Sequence, residues 1–356
     1  MSKRNVLRPG HGRLGWLYDG NDETPHIAVM LQDTGERIEL AVPLRALGDQ
    51  YSRWFGQGIN YGDDPGRTKH AYRPPKTLLF QDPEGYVALV GCLPAGAKHT
   101  SSGAGVGHVV PDYAILGGRN LKYDRINGLR TEIPGLAQWT GLTSQKLSWQ
   151  PDDDGLINRA TVALESPPAV PLSRAMNLTL EPTWSTSSPE PGRTLATHDI
   201  VYLQTRTKEP RSWHDHSYPH LRIRELLIIS AWHPFGFSHV MARRTDDPER
   251  TLDGKPVQER WAETATHAFP KNQAAEQQPR YLFTLSDIGG ATGIRRWLRL
   301  RRSFQRAIQP VIAVHDQRGF LETQILHTGT AIEGLGHQLG VEAGKSSAHQ
   351  VNYRKA

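Results

Sequence analysis

The chain has 356 residues, with 42 Lys and Arg against 36 Asp and Glu, a net charge of +6 and a pI near 9.4. That length exceeds one typical domain and predicts two or three. A single cysteine, Cys92, excludes an intrachain disulfide, and no apolar run approaches the ~20 residues of a membrane-spanning helix.

Met1 to Arg8 has no apolar signal-peptide core behind it, so a soluble, cytoplasmic chain is expected. The charge excess favours weak attraction to polyanions and specifies no partner by itself. A hydrophobic fraction of 37% with nine Trp suffices for real cores. The 34 Gly and 25 Pro fall between short apolar runs, which favours strands and loops over long helices.

In chain order, His26–Leu31 and Arg37–Val42 flank Asp33-Thr-Gly35, a turn whose glycine supplies the positive φ of a tight hairpin. Thr77–Phe80 and Gly85–Val90 flank Asp82-Pro-Glu-Gly85 in the same way. Gly56 to Pro75 between them reads as a long polar loop. Val109–Leu116, Ile157–Leu164, Met176–Leu180 and Asp199–Gln204 are further strand candidates, and Ile133, Leu136 and Trp139 close the first β unit. Leu221–Trp232 satisfies either period, and Pro219 before it favours a buried helix starting there. Tyr281–Leu285 reads as a last strand or as an extended entry to the C-terminal helices. The expected fold is α+β: a β-rich N-terminal two-thirds of sandwich-like units and antiparallel hairpins, then a short helical segment. Composition places the boundaries at 1–150, 151–286 and 287–356.

The end of the chain changes character. Gly293–Arg306 is an arginine-dense helical pattern in which Trp297, Leu300, Phe304 and Ile308 share a stripe bordered by Ile294 and Leu298. Arg295, Arg299, Arg302 and Arg306 follow one another on a neighbouring face, a row suited to phosphate contacts or to simple solvation. In Phe320–Leu339, Leu321, Ile325, Ala331 or Ile332, Leu335 and Leu339 form a second apolar stripe. Such a stripe needs partner helices, and the polar tail Gly340–Ala356 is too short to supply them.

Together, Thr77-Leu-Leu-Phe80, Val87-Ala-Leu-Val-Gly-Cys92, Tyr113-Ala-Ile-Leu-Gly117, Leu136-Ala-Gln-Trp139, Trp297, Phe320-Leu and Ala331-Ile-Glu333 form a spaced pattern. It resembles the N-terminal module of ApeA-type abortive-infection proteins, bacterial anti-phage factors. The resemblance implies a front module that senses an invader, a phage-derived protein or nucleic acid, and a following helical HEPN effector that cleaves RNA without metal. The effector's signature is Arg, four to six residues, then His, on a later helix. Nothing after Leu339 offers it, since Arg354 is followed only by Lys355 and Ala356. Arg211/His216 and Arg260/His267 have the spacing, but they lie in the β-rich part, and chance supplies such pairs in a chain this rich in Arg and His. The resemblance therefore implies the sensor portion, non-catalytic, with no cofactor.

A second class stays open. His214-Asp-His-Ser-Tyr-Pro-His220, with His233 or His239, has the residue types of a zinc-like site and would suit a metal-assisted or carbohydrate-active enzyme on β-sandwich domains. The segment follows what reads as an exposed loop, where histidines are ordinarily solvated. The Gly-rich Ser101–His108 precedes an extended segment instead of a helix, and Gly340–Ser346 is one residue short of a P-loop. Cys92, beside Leu89 and Val90, reads as a buried inert thiol.

Overall fold

The computed structural model describes residues 5–22, 24–46, 48–101, 103–188, 190, 193–251, 253–271, 279–316 and 320–342. The elements, in chain order, begin with β1 (Gly12–Tyr18), β2 (Ile27–Asp33), β3 (Ile38–Leu44), α1 (Gln50–Arg53), β4 (Thr77–Asp82), β5 (Gly85–Val90), β6 (Leu93–His99), β7 (Gly105–Val110), β8 (Tyr113–Leu116) and β9 (Arg125–Glu132). They continue with α2 (Leu136–Thr140), β10 (Gln145–Pro151), β11 (Ile157–Leu164), β12 (Val170–Ser173), β13 (Leu178–Ser187), β14 (Ala196–Ser212) and α3 (Trp213–Ala231). Then come β15 (His239–Arg243), β16 (Glu249–Arg250), β17 (Pro256–Gln258), β18 (Ala262–Thr266), α4 (Ala291–Ser303), α5 (Gln305–Asp316) and α6 (Leu321–Glu342). The fold is α+β and β-rich, with antiparallel hairpins followed by helices, as the sequence predicts.

Two compact units divide the chain: one of Met1–Thr131, Thr205–Ser217 and Phe237–Lys271, the other of Glu132–Gln204, Tyr218–Gly236 and Asn272–Ala356. In the first, the sheet runs from the later part of β14 through β9, β15, β18, β8, β5, β4, β1, β2, β3 and β7 to β6. Both predicted hairpins form. Asp82 pairs with Gly85 across the β4–β5 turn, where Gly85 takes φ +128 and the Asp82 carboxylate accepts the backbone N–H groups of Glu84 and Gly85. Alternate residues of β1 to β5 and β7 point inward, and Leu17, Leu31, Leu40, Val42, Leu78, Phe80, Val87, Leu89 and Val109 form one buried cluster. Each such side chain contributes about 1.5–3 kcal/mol by leaving water.

Several buried charged and polar groups of this unit are paired. Arg13, buried in β1, makes a bidentate pair with Asp82 at 2.8 and 2.7 Å. Asp247 accepts from the Tyr123 hydroxyl at 2.8 Å and from Arg260. Trp213 stacks on Tyr113 with ring centroids 3.8 Å apart and donates its indole N–H to Tyr123 O.

In the second unit β12, β13 and the early part of β14 form a small sheet, and β10 pairs with β11 as a separate hairpin. Tyr281–Leu285 is not a strand. Its backbone groups bond singly, Leu282 N to Ser230 O and Leu285 N to Trp139 O, while Trp139 Nε1 donates to Phe283 O. Those scattered partners replace a ladder, so the segment is a turn-rich strap.

Helix α3 begins at Trp213, earlier than Pro219 suggests, and Pro219 sits inside it. The segment before it, Lys208–Ser212, finishes β14 and is not a loop. The buried Trp213 fixes that junction. Among the described residues, no helix is long and apolar enough to cross a membrane.

Candidate nucleic-acid interface

The arginine-dense pattern forms two helices, not one. α4 ends at Phe304, whose φ of −106 and ψ of 32 break the helix, and α5 resumes at Gln305. Ile294, Trp297 and Leu298 are buried, as are Phe304 and Ile308, but Leu300 is exposed and Arg301 takes an inward position instead. The reason is electrostatic. Glu225 on α3 accepts Arg301 Nε at 2.7 Å and Nη2 at 3.3 Å, and Arg222 Nη1 at 2.6 and 2.8 Å. Gln309 Oε1 accepts from Arg301 Nη2 at 2.5 Å, and Trp297 Nε1 donates to Arg222 O at 2.7 Å. A carboxylate 76 residues away thus selects which arginine is buried.

The four arginines of the expected row are all exposed. Arg295 donates to Thr292 Oγ1 at 2.9 Å. Arg295, Arg299 and Arg302 lie at three- and four-residue steps on the outer face of α4. Arg302 and Arg306 also line a groove of about 960 Å³, whose other side α6 supplies with His327, Glu333 and His337. The structure therefore brings Arg302 and Arg306 together with α6 side chains that spacing alone did not connect to them, and leaves Arg295 and Arg299 along the approach. None of Arg299, Arg302 and Arg306 has an acid partner among the described residues, so the face is free to meet phosphates, each contact releasing counterions.

α6 packs on α5 in an unusual sense. At Gly334 a Cβ would meet Ala307 backbone at 3.3 Å, so the helices approach closely there. The groove-facing residues His327, Thr330 and His337 flank that point. The apolar stripe lies on the opposite side of the wheel. Leu321 is 68%, Ile325 63%, Ile332 66%, Leu335 44% and Leu339 52% exposed, and Ala331 alone of that pattern is buried.

The histidine cluster does not converge. His216 is buried on α3, its ring nitrogens 2.9 Å from Thr205 Oγ1 and 3.1 Å from Ile126 O, and burial lowers its pKa. His214 is exposed and His220 is buried. Among the described residues, no three His, Cys, Asp or Glu stand where they could hold a metal ion. Cys92 is buried, its thiol donates to Leu89 O at 3.6 Å, and burial pushes its pKa up. The described part of Ser101–His108 turns β6 into β7, with Thr100 N bonded to Ala104 O. His267 pairs with Asp33 and Arg260 with Asp247. Of Gly340–Ser346, residues 343–346 lie outside the described residues.

Fold and exposed basic helix together define an α+β module with an open cationic face. Residues 13–297 match the family model described as ApeA N-terminal domain 1, and the chain belongs to that family. The match ends inside α4, so Arg299, Arg302, Arg306 and α6 follow it. No curated protein matches the chain, and no solved structure does.

Proposed function

We propose that this chain is a non-catalytic recognition module of a bacterial anti-phage, abortive-infection system. Its β-rich units bind a phage-derived protein or nucleic acid, and α4 to α6 pass that event to a HEPN-type effector. Membership of the ApeA N-terminal family supports the defence setting. The outward apolar stripe of α6 carries the coupling role, because five large apolar side chains on one helix face cost solvation unless a partner covers them.

In this reading Arg295, Arg299, Arg302 and Arg306 contact nucleic acid, either the trigger or the RNA presented to the effector. Cytoplasmic location and the absence of a cofactor belong to the same reading. The test is an RNA-cleavage assay on the purified chain, with and without a HEPN-type partner. The reading expects cleavage only with the partner. Metal-independent cleavage of tRNA by the chain alone contradicts it.

A further inference from the structure

The first unit contains a second cationic cleft, in the long loop between α1 and β4. Although residues 56–75 contain no helix or strand, they are held firmly. Asp64 is buried. It accepts the backbone N–H groups of Thr68, Lys69 and His70 at 2.9–3.2 Å and the Tyr72 hydroxyl at 3.0 Å. Burial opposes its charge, but those donors prevail and hold the carboxyl down at about 2.

Arg53, also buried, donates to Gly48 O, to the Tyr72 hydroxyl and to Asp63. Its guanidinium lies 4.6 Å from the Tyr61 ring centroid, the Tyr61 and Tyr72 rings are 5.8 Å apart, and Arg67 lies 4.2 Å from the Tyr72 ring. Arg67 is pinned further by donating to Gln57 O and Gly56 O, on a backbone with φ +54.

The outcome is a cleft of about 540 Å³ lined by Gln57, Arg67, His70, Ala71, Tyr72 and Arg73. Residues 53–73 carry four cations, Arg53, Arg67, Lys69 and Arg73, against two carboxylates. Asp64 is consumed by the loop, and Asp63 is engaged by Arg53 at 2.6 Å and His70 at 3.6 Å. Neither Arg67 nor Arg73 has an acid partner among the described residues, so the charge facing the cleft is positive.

Two properties select the ligand class. A guanidinium held over a tyrosine ring, as Arg67 is over Tyr72, offers a cationic group of the kind on which nucleobases stack. A second, unengaged arginine offers the forked donors that suit phosphate. We propose that this cleft binds a nucleotide, its phosphate on Arg73 and His70 and its base over Arg67, either free or within a single strand. The proposal does not rest on the coupling role of α6.

The test uses the full chain, with a fluorescent ATP analogue and a short labelled oligouridylate as probes. Arg73 is the position to change, because no hydrogen bond of the described residues depends on it. Arg73→Glu weakens at least one probe by about tenfold or more, as loss of a charged hydrogen bond implies, while Arg73→Lys weakens it less. Loss of both probes identifies a site for free nucleotides, and loss of the oligonucleotide alone identifies a strand site. If the parent binds neither probe, or Arg73→Glu binds both as the parent does, the proposal is overturned.

Discussion

The hairpins of the first unit and the helix α6 of the second use apolar residues in opposite ways. In β2 and β3, Val29, Leu31, Leu40 and Val42 alternate inward to a sealed cluster. In α6, the regular apolar stripe points outward while Gly334 and polar side chains meet α5. The same physical signal, periodic hydrophobicity, thus marks a core in one region and a solvent-exposed ridge in the other. A stripe excluded from its own helix pair costs free energy in isolation, and association with another helix offsets that cost.

The largest expected effect lies where α4 is tied to α3. Arg301→Ala leaves Glu225 buried with one fewer cation and costs about 3–5 kcal/mol, read from the denaturant midpoint. A loss no greater than that of an exposed arginine such as Arg299→Ala breaks the account of why Arg301 is inside.

Next comes the direct contrast between the two apolar patterns. Leu40→Ala destabilises by about 2–5 kcal/mol, whereas Ile332→Gln and Leu335→Gln each change stability by less than about 0.5 kcal/mol. Equal costs at both sites show the α6 ridge to be core.

A smaller effect belongs to the basic face. For single-stranded RNA, every phosphate that the protein no longer neutralises lowers the slope of log K against log salt by about 0.7. Changing Arg295, Arg299, Arg302 and Arg306 in turn to Glu therefore flattens the slope stepwise. A slope that never moves excludes the row as an interface.

Burial lowers the pKa of both His216 and His315 from the ordinary value near 6.5. The unfolded chain then binds protons that the folded chain refuses, so stability rises with pH across this range. The contribution is complete above the unfolded value and is lost as pH falls from there through the folded one. Melting curves at about pH 7 and about pH 5 show a smaller drop for His216→Gln than for the parent. Smallest of all, Cys92 resists alkylation until the chain unfolds, because its thiol is buried and its pKa raised.

The hairpins at Gly35 and Gly85 were legible because turn chemistry and alternation agree there. β1 was not, because two of its three buried positions hold Arg13 and Gly15, only Leu17 being apolar, while Leu14 and Trp16 face outward, which obscures the usual pattern. The Asp82 that neutralises Arg13 lies 69 residues away. Similarly, the arginine row was legible from helical spacing, but the burial of Arg301 depends on Glu225, and the break at Phe304 leaves no mark on a helical wheel. The cleft at Arg67 and Arg73 is built from backbone carbonyls and aromatic stacking within a segment that shows no periodicity at all.

The most direct test of the α6 surface is titration calorimetry of the chain against a HEPN-type effector polypeptide, comparing the parent with a variant carrying Ile325→Glu, Ile332→Glu and Leu335→Glu. A partner helix that covers this ridge gives measurable heat with the parent and none with the folded variant. Equal binding by both, or none by the parent, contradicts the docking role.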